Sequence, residues 1–153
     1  MILFINTASP EIITLALLDQ KGEVVARKKI QAKYKQSEKL LAEIERLSPP
    51  DYPQRKISAT QIGGCPKGKI KLDLKRLCGI IAVKGPGSFT ALRIGLTTAN
   101  AMAFALGIPI VGVLDGEFEK IVAEGMGKLK KTKVGGYVMP EYGMEPNITI
   151  KKQ

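Results

Sequence analysis

Histidine and tryptophan are absent from this 153-residue chain, and cysteine occurs only twice. The missing imidazole excludes Ser-His-Asp and Cys-His triads, histidine-ligated zinc and HExxH chemistry together. Cys65 and Cys78 stand 13 positions apart with no CxxC, so neither a zinc knuckle nor a dithiol redox pair is indicated. A disulfide is not expected in a reducing compartment. Catalysis would have to rest on carboxylates, lysines, hydroxyls or a bound cofactor, and no catalytic or metal-binding set is visible. Long apolar runs are lacking as well: no segment approaches the roughly 20 uninterrupted apolar residues of a membrane span. The opening MILFINTASP has no basic leader region, so a cytoplasmic location without membrane contact is the expectation.

Acidic residues are scarce, with 14 Asp and Glu against 24 Lys and Arg, a net charge of +10. Residues 21 to 75 hold 14 of the basic residues and 6 of the acidic ones, so most of the surplus sits there. That stretch is either a lysine-rich solvated face or a footprint for RNA; its aromatics are Tyr34 and Tyr52, and no RNP-type motif accompanies them. Hydrophobic residues at 44% and charged residues at 25% are the mixture of a globular protein, and the length suits one domain with its own core.

The pattern along the chain predicts an α/β fold. Ile2–Ala8 and Ile12–Asp19 read as a hairpin joined by SPE, and Val24–Ile30 as a third antiparallel strand after a turn at Gly22. Ser37–Leu47 carries Leu40, Leu41, Ile44 and Leu47 at helical spacing, with Ser37 as the expected N-cap and SPP as the stop. Residues 48–76 are rich in Pro, Gly and Lys and read as a long excursion with a short strand near KIKLDL. Cys78–Val83, a helix over Ser88–Leu106, a stop at Gly107 and Ile108–Val113 then form a βαβ unit with parallel strands. Beyond Asp115 the expectation is a short helix at Glu117–Ala123, a strand in GGYVMP and a polar tail.

The turn KGPGSFTALRIG, residues 84–95, supports two readings. A glycine-rich turn before a helix exposes N–H groups to an anion, which makes Gly85, Gly87, Ser88 and Thr90 weak candidates for phosphate. The turn lacks the GK[ST] of a P-loop, and Thr90 stands where a dinucleotide fingerprint needs its third glycine. The alternative is close packing: Phe89, Leu92, Leu96, Ala99, Ala103 and Leu106 form one stripe, and Ala91, Gly95, Thr98, Ala101, Met102 and Ala105 a flatter one. On that reading Phe89 seats in the core, and the other surface meets either the preceding helix or a partner subunit. In nucleotide-binding folds of the actin and sugar-kinase type the first strand ends in an acidic residue near phosphate and metal; INTASP has the neutral Asn6 there, and Thr7 and Ser9 could donate to an anion or form a simple turn.

ILFINTASPEIITLALLD, QSEKLLAEIERL and IIAVKGPGSFTALRIGLTTANAMAFALGIPIVGV together resemble the bacterial TsaB (YeaZ) family of threonylcarbamoyladenosine biosynthesis proteins. The third segment is the most specific, with Ala91 where the family usually has Gly, and VMPEYGMEPNITI is similar to the family's closing Pro-x-Tyr segment. The resemblance implies an actin-like (ASKHA, ribonuclease H-like) domain over residues 1–115, with residues 116–153 as a vestigial second lobe and tail. It implies a non-catalytic scaffold that binds a larger TsaD-like catalytic subunit and works with a TsaE-like ATPase on tRNA. It further implies an interface on the two apolar helices, here Leu40, Leu41, Ile44, Leu47, Leu92, Arg93, Leu96, Thr98 and Ala99, with a homodimer through the same helices as a variant. On that expectation Leu92→Glu or Leu96→Glu removes the partner and spares the fold. No cofactor is expected on the chain alone, and ATP or ADP at the interface stays open. Two other function classes also stay open: a small ATP-binding enzyme of the ASKHA superfamily and a basic RNA-binding module. The first helix begins QSE, where the family has an HSE-like start.

Overall fold

The computed structural model describes residues 1–47 and 72–142. Its centre is a five-stranded mixed sheet in the order β3-β2-β1-β4-β5. β1 (Ile2–Asn6) pairs antiparallel with β2 (Ile12–Leu18), from Ile2↔Leu18 to Asn6↔Thr14. β3 (Val24–Gln31) continues antiparallel on β2 with Ile13 opposite Ile30. The turn between them is held by Asp19, whose Oδ1 accepts the backbone N–H groups of Lys21 and Glu23 at 2.8 Å each, and Gly22 takes the positive φ of +91° that the turn requires. β4 (Gly79–Gly85) and β5 (Ile110–Leu114) run parallel to β1 on its other side, joined by α2 (Phe89–Leu106). This is the expected actin-like α/β arrangement of three antiparallel strands and one βαβ unit.

β1 and β4 read as continuous apolar runs because helices cover both faces of the sheet. Successive side chains of a strand point to opposite faces. Leu3 and Ile5 accordingly join the core under α1 (Gln36–Glu45) and α2, while Ile2 and Phe4 join the core under α3 (Phe118–Leu129). α3 lies close because Gly79 and Gly125 leave room: a Cβ on either would stand 2.5 or 2.6 Å from Leu129 or Ile81. Phe118 meets Phe4 edge to face at 5.2 Å, and Arg27 of β3 stacks over the Phe118 ring at 3.6 Å.

Several boundaries differ from expectation. Ser37 is not the N-cap of α1; Lys35 holds that place without a side-chain bond, because Gln36 is already in the first turn and folds back to donate to the Ser9 carbonyl at 2.7 Å. α3 runs six residues past the expected Ala123, and its Ile121, Val122, Met126 and Leu129 bury in the same sheet as the N-terminal strands. The division expected at residue 115 therefore does not separate two cores among the described residues. No strand forms at GGYVMP; Val138 is instead tied to α2 by the Asn100 side chain. Residues 48–71 of the basic excursion, Cys65 and Tyr52 included, lie outside the described residues. After them, the Leu72 N–H bonds the Glu45 carbonyl at 2.8 Å and Leu74–Arg76 form a 3₁₀ turn, while half of KIKLDL, expected as a short strand, lies outside the described residues.

Candidate functional site

In open α/β sheets, ligands collect at the carboxyl ends of the parallel strands. Here those ends bring together Asn6, the link Thr7–Glu11, the turn Lys84–Ser88 and Asp115. Asn6 donates from Nδ2 to Asp115 Oδ1 at 2.9 Å and accepts the Ala8 N–H at 2.8 Å, so its amide ties β1 to the end of β5. The Asp115 N–H bonds the Gly85 carbonyl at 2.8 Å. Thr7 is buried, and Ser9 Oγ accepts the N–H groups of Glu11 and Ile12 at 3.3 Å, which shapes the link. Among the described residues, no three of the metal-ligating types cluster.

The glycines of the turn serve close approach. A Cβ on Gly87 would stand 2.5 Å from the Ala8 carbonyl oxygen, and one on Gly95 would stand 2.0 Å from Thr7 Oγ1. The β1–β2 link thus lies directly on the first turns of α2, and the Ser88 N–H is engaged by Ala8 at 2.8 Å. Gly85 has φ +134°, and a Cβ there would meet the Glu141 carbonyl oxygen at 2.0 Å. The segment 138–142 therefore lies over this turn. It is held by the paired bonds between Asn100 and the Val138 backbone, 2.9 Å each, by the Glu141 N–H to Lys84 carbonyl bond at 2.7 Å, and by the Lys84–Glu141 ion pair. Tyr142 stacks on Phe89 at 4.6 Å and accepts from Arg93 Nε at 2.9 Å, while Arg93 also lies 3.9 Å above the Phe89 ring.

The phosphate candidates are accordingly split. Gly85 is buried under Glu141, Gly87 backs onto Ala8, Ser88 makes no capping bond with its side chain, and Thr90 faces solvent. Phe89, expected in the core, is half exposed at 50%. The rest of its stripe does point inward, since Leu92, Leu96, Ala99 and Ala103 are all buried; Phe89, at the first residue of α2, lies at the end of that stripe and out of the core.

The nine interface candidates also separate. Leu40, Ile44 and Leu47 of α1 and its C-terminal extension, with Leu92, Leu96 and Ala99 of α2, are inside the protein's own core. Buried leucines cannot meet a partner without leaving that core, so the expected Leu92→Glu and Leu96→Glu variants test folding rather than association. Leu41 (57% exposed), Arg93 and the half-buried Thr98 remain accessible. Sequence periodicity passed over the surface that joins them: Thr97, Ala101 and Phe104, the last 89% exposed, continue the Arg93 side of α2. Ser37, Arg93, Ile94, Thr97 and Thr98 line a shallow groove of about 300 Å³ between α1 and α2. By length and composition α2 could cross a membrane, but in this fold its leucines lie against the sheet.

Among the charged groups near this surface, Glu43 of α1 is buried between Lys28 of β3 and Arg46. The Lys28 ammonium, then Arg46, hold its carboxyl below the usual carboxylate range against the opposing effect of burial.

Comparison with known proteins agrees with this architecture. The family model for TsaD, tRNA N6-adenosine threonylcarbamoyltransferase, matches residues 67–120, which span the βαβ unit. In sequence, the chain is 57% identical over 42 residues to a tRNA N6-adenosine threonylcarbamoyltransferase of Geotalea uraniireducens, covering 28% of this chain and 12% of that protein. It is 45% identical over 49 residues to the tRNA threonylcarbamoyladenosine biosynthesis protein TsaB of Bacillus subtilis, covering 32% and 20%. In structure it superposes on YeaZ from Pseudomonas aeruginosa with a TM-score of 0.51 at 24% identity, covering 74% of this chain and 42% of YeaZ. The matches thus span 12% and 20% of the two sequence relatives and 42% of YeaZ, less than half of each. Its resemblance to the TsaB (YeaZ) family is borne out, in sequence over a segment of the Bacillus protein and in fold over most of the described sheet domain.

Proposed function

We propose that this chain is a non-catalytic accessory subunit of the tRNA N6-threonylcarbamoyladenosine machinery in the cytoplasm, binding a TsaD-like catalytic subunit through the outer flank of α1 and α2. A TsaE-like ATPase and tRNA then engage the assembly. The observation that carries the reading is that both helices hold a large apolar side chain in solvent, Leu41 on α1 and Phe104 on α2, while a groove lined by Ser37, Arg93, Ile94, Thr97 and Thr98 opens between them. The likeness to TsaB supports it, as does the absence of histidine from the whole chain. The sealed Gly85 turn argues against the alternative of an independent ATP-binding enzyme, since Glu141 stands where a phosphate would approach. Residues 116–153 stand in this reading as a vestigial second lobe and tail, of which 138–142 are held on α2 and β4 through Asn100 and Lys84.

Phe104→Glu is the direct test, because its side chain contributes almost nothing to the core. The variant should unfold at the same temperature as the native chain and lose at least tenfold in affinity for a co-expressed TsaD-like subunit. Undiminished association would refute the proposed flank, and no association by the native chain would refute the subunit reading itself.

A further inference from the structure

The corner between β3 and α1 is strongly basic: Arg27 and Lys28 are engaged by Phe118 and Glu43, while Tyr34 and the lysines around it belong neither to the core nor to the α1–α2 flank. From residue 27 to residue 39 the chain carries Arg27, Lys28, Lys29, Lys33, Lys35 and Lys39 against the single acid Glu38. β3 is an edge strand, and lysine on an edge is an ordinary guard against pairing with other chains. That accounts for the lysines of the strand but not for Tyr34. A four-residue turn, closed by the Lys35 N–H on the Ala32 carbonyl at 2.8 Å, places Tyr34 at its third position with φ +57°. Glycine or asparagine is usual in that conformation, and a bulky aromatic there is an outlier. The ring gains nothing from the fold in return, being 91% exposed with the Lys33 ammonium 5.7 Å from its centre. Strain that packing does not repay points to a use outside the chain.

An exposed aromatic face with a lysine ammonium beside it, in a lysine-rich stretch, suits a polyanion that also presents flat π surfaces, which is a nucleic acid. We propose that the β3–α1 corner binds RNA, with backbone phosphates on Lys29, Lys33 and Lys35 and one unpaired base stacked on Tyr34. Lys33 is shared with Glu11 at 3.2 Å, an exposed pair that a phosphate can displace. The naming of RNA rests on the tRNA-modification reading above, whereas the site itself rests on these residues.

The test uses the full chain, a labelled single-stranded RNA of about twelve nucleotides, and heparin as a polyanion without bases, read by fluorescence anisotropy. RNA binding should weaken steeply with salt, with a log–log slope of about −2 for three phosphate contacts. Tyr34→Gly, which relieves the backbone while removing the ring, should weaken RNA about tenfold and leave heparin binding and the unfolding temperature undiminished, and Tyr34→Phe should restore the RNA affinity. Lys29→Glu with Lys35→Glu should weaken both ligands. The proposal fails if the native chain does not bind RNA at low salt, or if Tyr34→Gly leaves RNA affinity unchanged or lowers RNA and heparin alike. None of these measurements needs the partner subunit, so this site and the α1–α2 flank stand or fall separately.

Discussion

Gly85 and Tyr34 both sit at turns with positive φ, at +134° and +57°, and the molecule treats the two in opposite ways. At Gly85 the missing side chain is filled by the chain's own Glu141, and the turn becomes an interior junction of β4, α2 and the segment 138–142. At Tyr34 a large side chain is kept, at conformational cost, and points into water. Close approach of backbone is a reason for glycine that lies within the fold; an exposed, strained aromatic has no such internal reason. In the glycine motif the missing side chains make room for backbone of Ala8 and Glu141, whereas in the lysine-rich stretch the side chain at the strained turn faces water and stays open to a ligand.

Substitutions can break each side of that comparison. The largest effect is expected from Leu92→Glu, which puts a carboxylate among fully buried apolar side chains and should cost about 5 kcal/mol, enough to abolish folding as read by circular dichroism and urea titration. Gly85→Ala should cost about 3 kcal/mol in the same titration, from the unfavourable φ and from a methyl placed against the Glu141 carbonyl. A near-neutral result would show that segment 138–142 does not seal the turn. Glu43→Gln should cost about 1–2 kcal/mol near pH 7, by loosening the contacts with Lys28 and Arg46. Because the folded-state carboxyl lies below its ordinary value of 4.5, its contribution is present above that value and fades as pH falls through the folded one. The gap between Glu43→Gln and the native protein should therefore narrow progressively in urea titrations as pH falls below 4.5. The smallest effect, and the one of opposite sign, belongs to Tyr34→Gly: stability unchanged or raised by up to about 1 kcal/mol, since relief of backbone strain offsets the entropy of a glycine in the unfolded chain.

The sheet and its connections were legible because each element carries its own local signal. Alternating or continuous apolar runs mark β1 to β5, Gly22 marks a turn, and Gly107, at φ +62°, ends α2 as a helix-stopping glycine should. The candidate site was less legible. Helical periodicity finds an apolar stripe, but it does not say whether sheet, neighbouring helix or partner covers it. The stripe holding Leu92, Leu96 and Ala99 reads equally as a partner face, and the protein's own core covers it, whereas the exposed Phe104 stands outside that stripe. Asn100 is a polar residue in the middle of an apolar helix, a signal that could have indicated its bonds to Val138. Asp115 follows the last apolar residue of β5 and could likewise have been paired with Asn6 across the strand ends.

What the sequence determined by itself was the alphabet of chemistry and the order of elements. Without histidine, and with most of its charge surplus in residues 21–75, the chain could be confined to a few function classes, and its local patterns specified β-β-β-α-β-α-β. Only the tertiary structure decided which surfaces remain available. Burial depends on contacts between residues far apart in the chain, such as Thr7 on Gly95, Val138 on Asn100 and Glu141 on Gly85. Those contacts close the glycine turn, turn the leucines of α2 inward, and leave Phe104 and Tyr34 facing water.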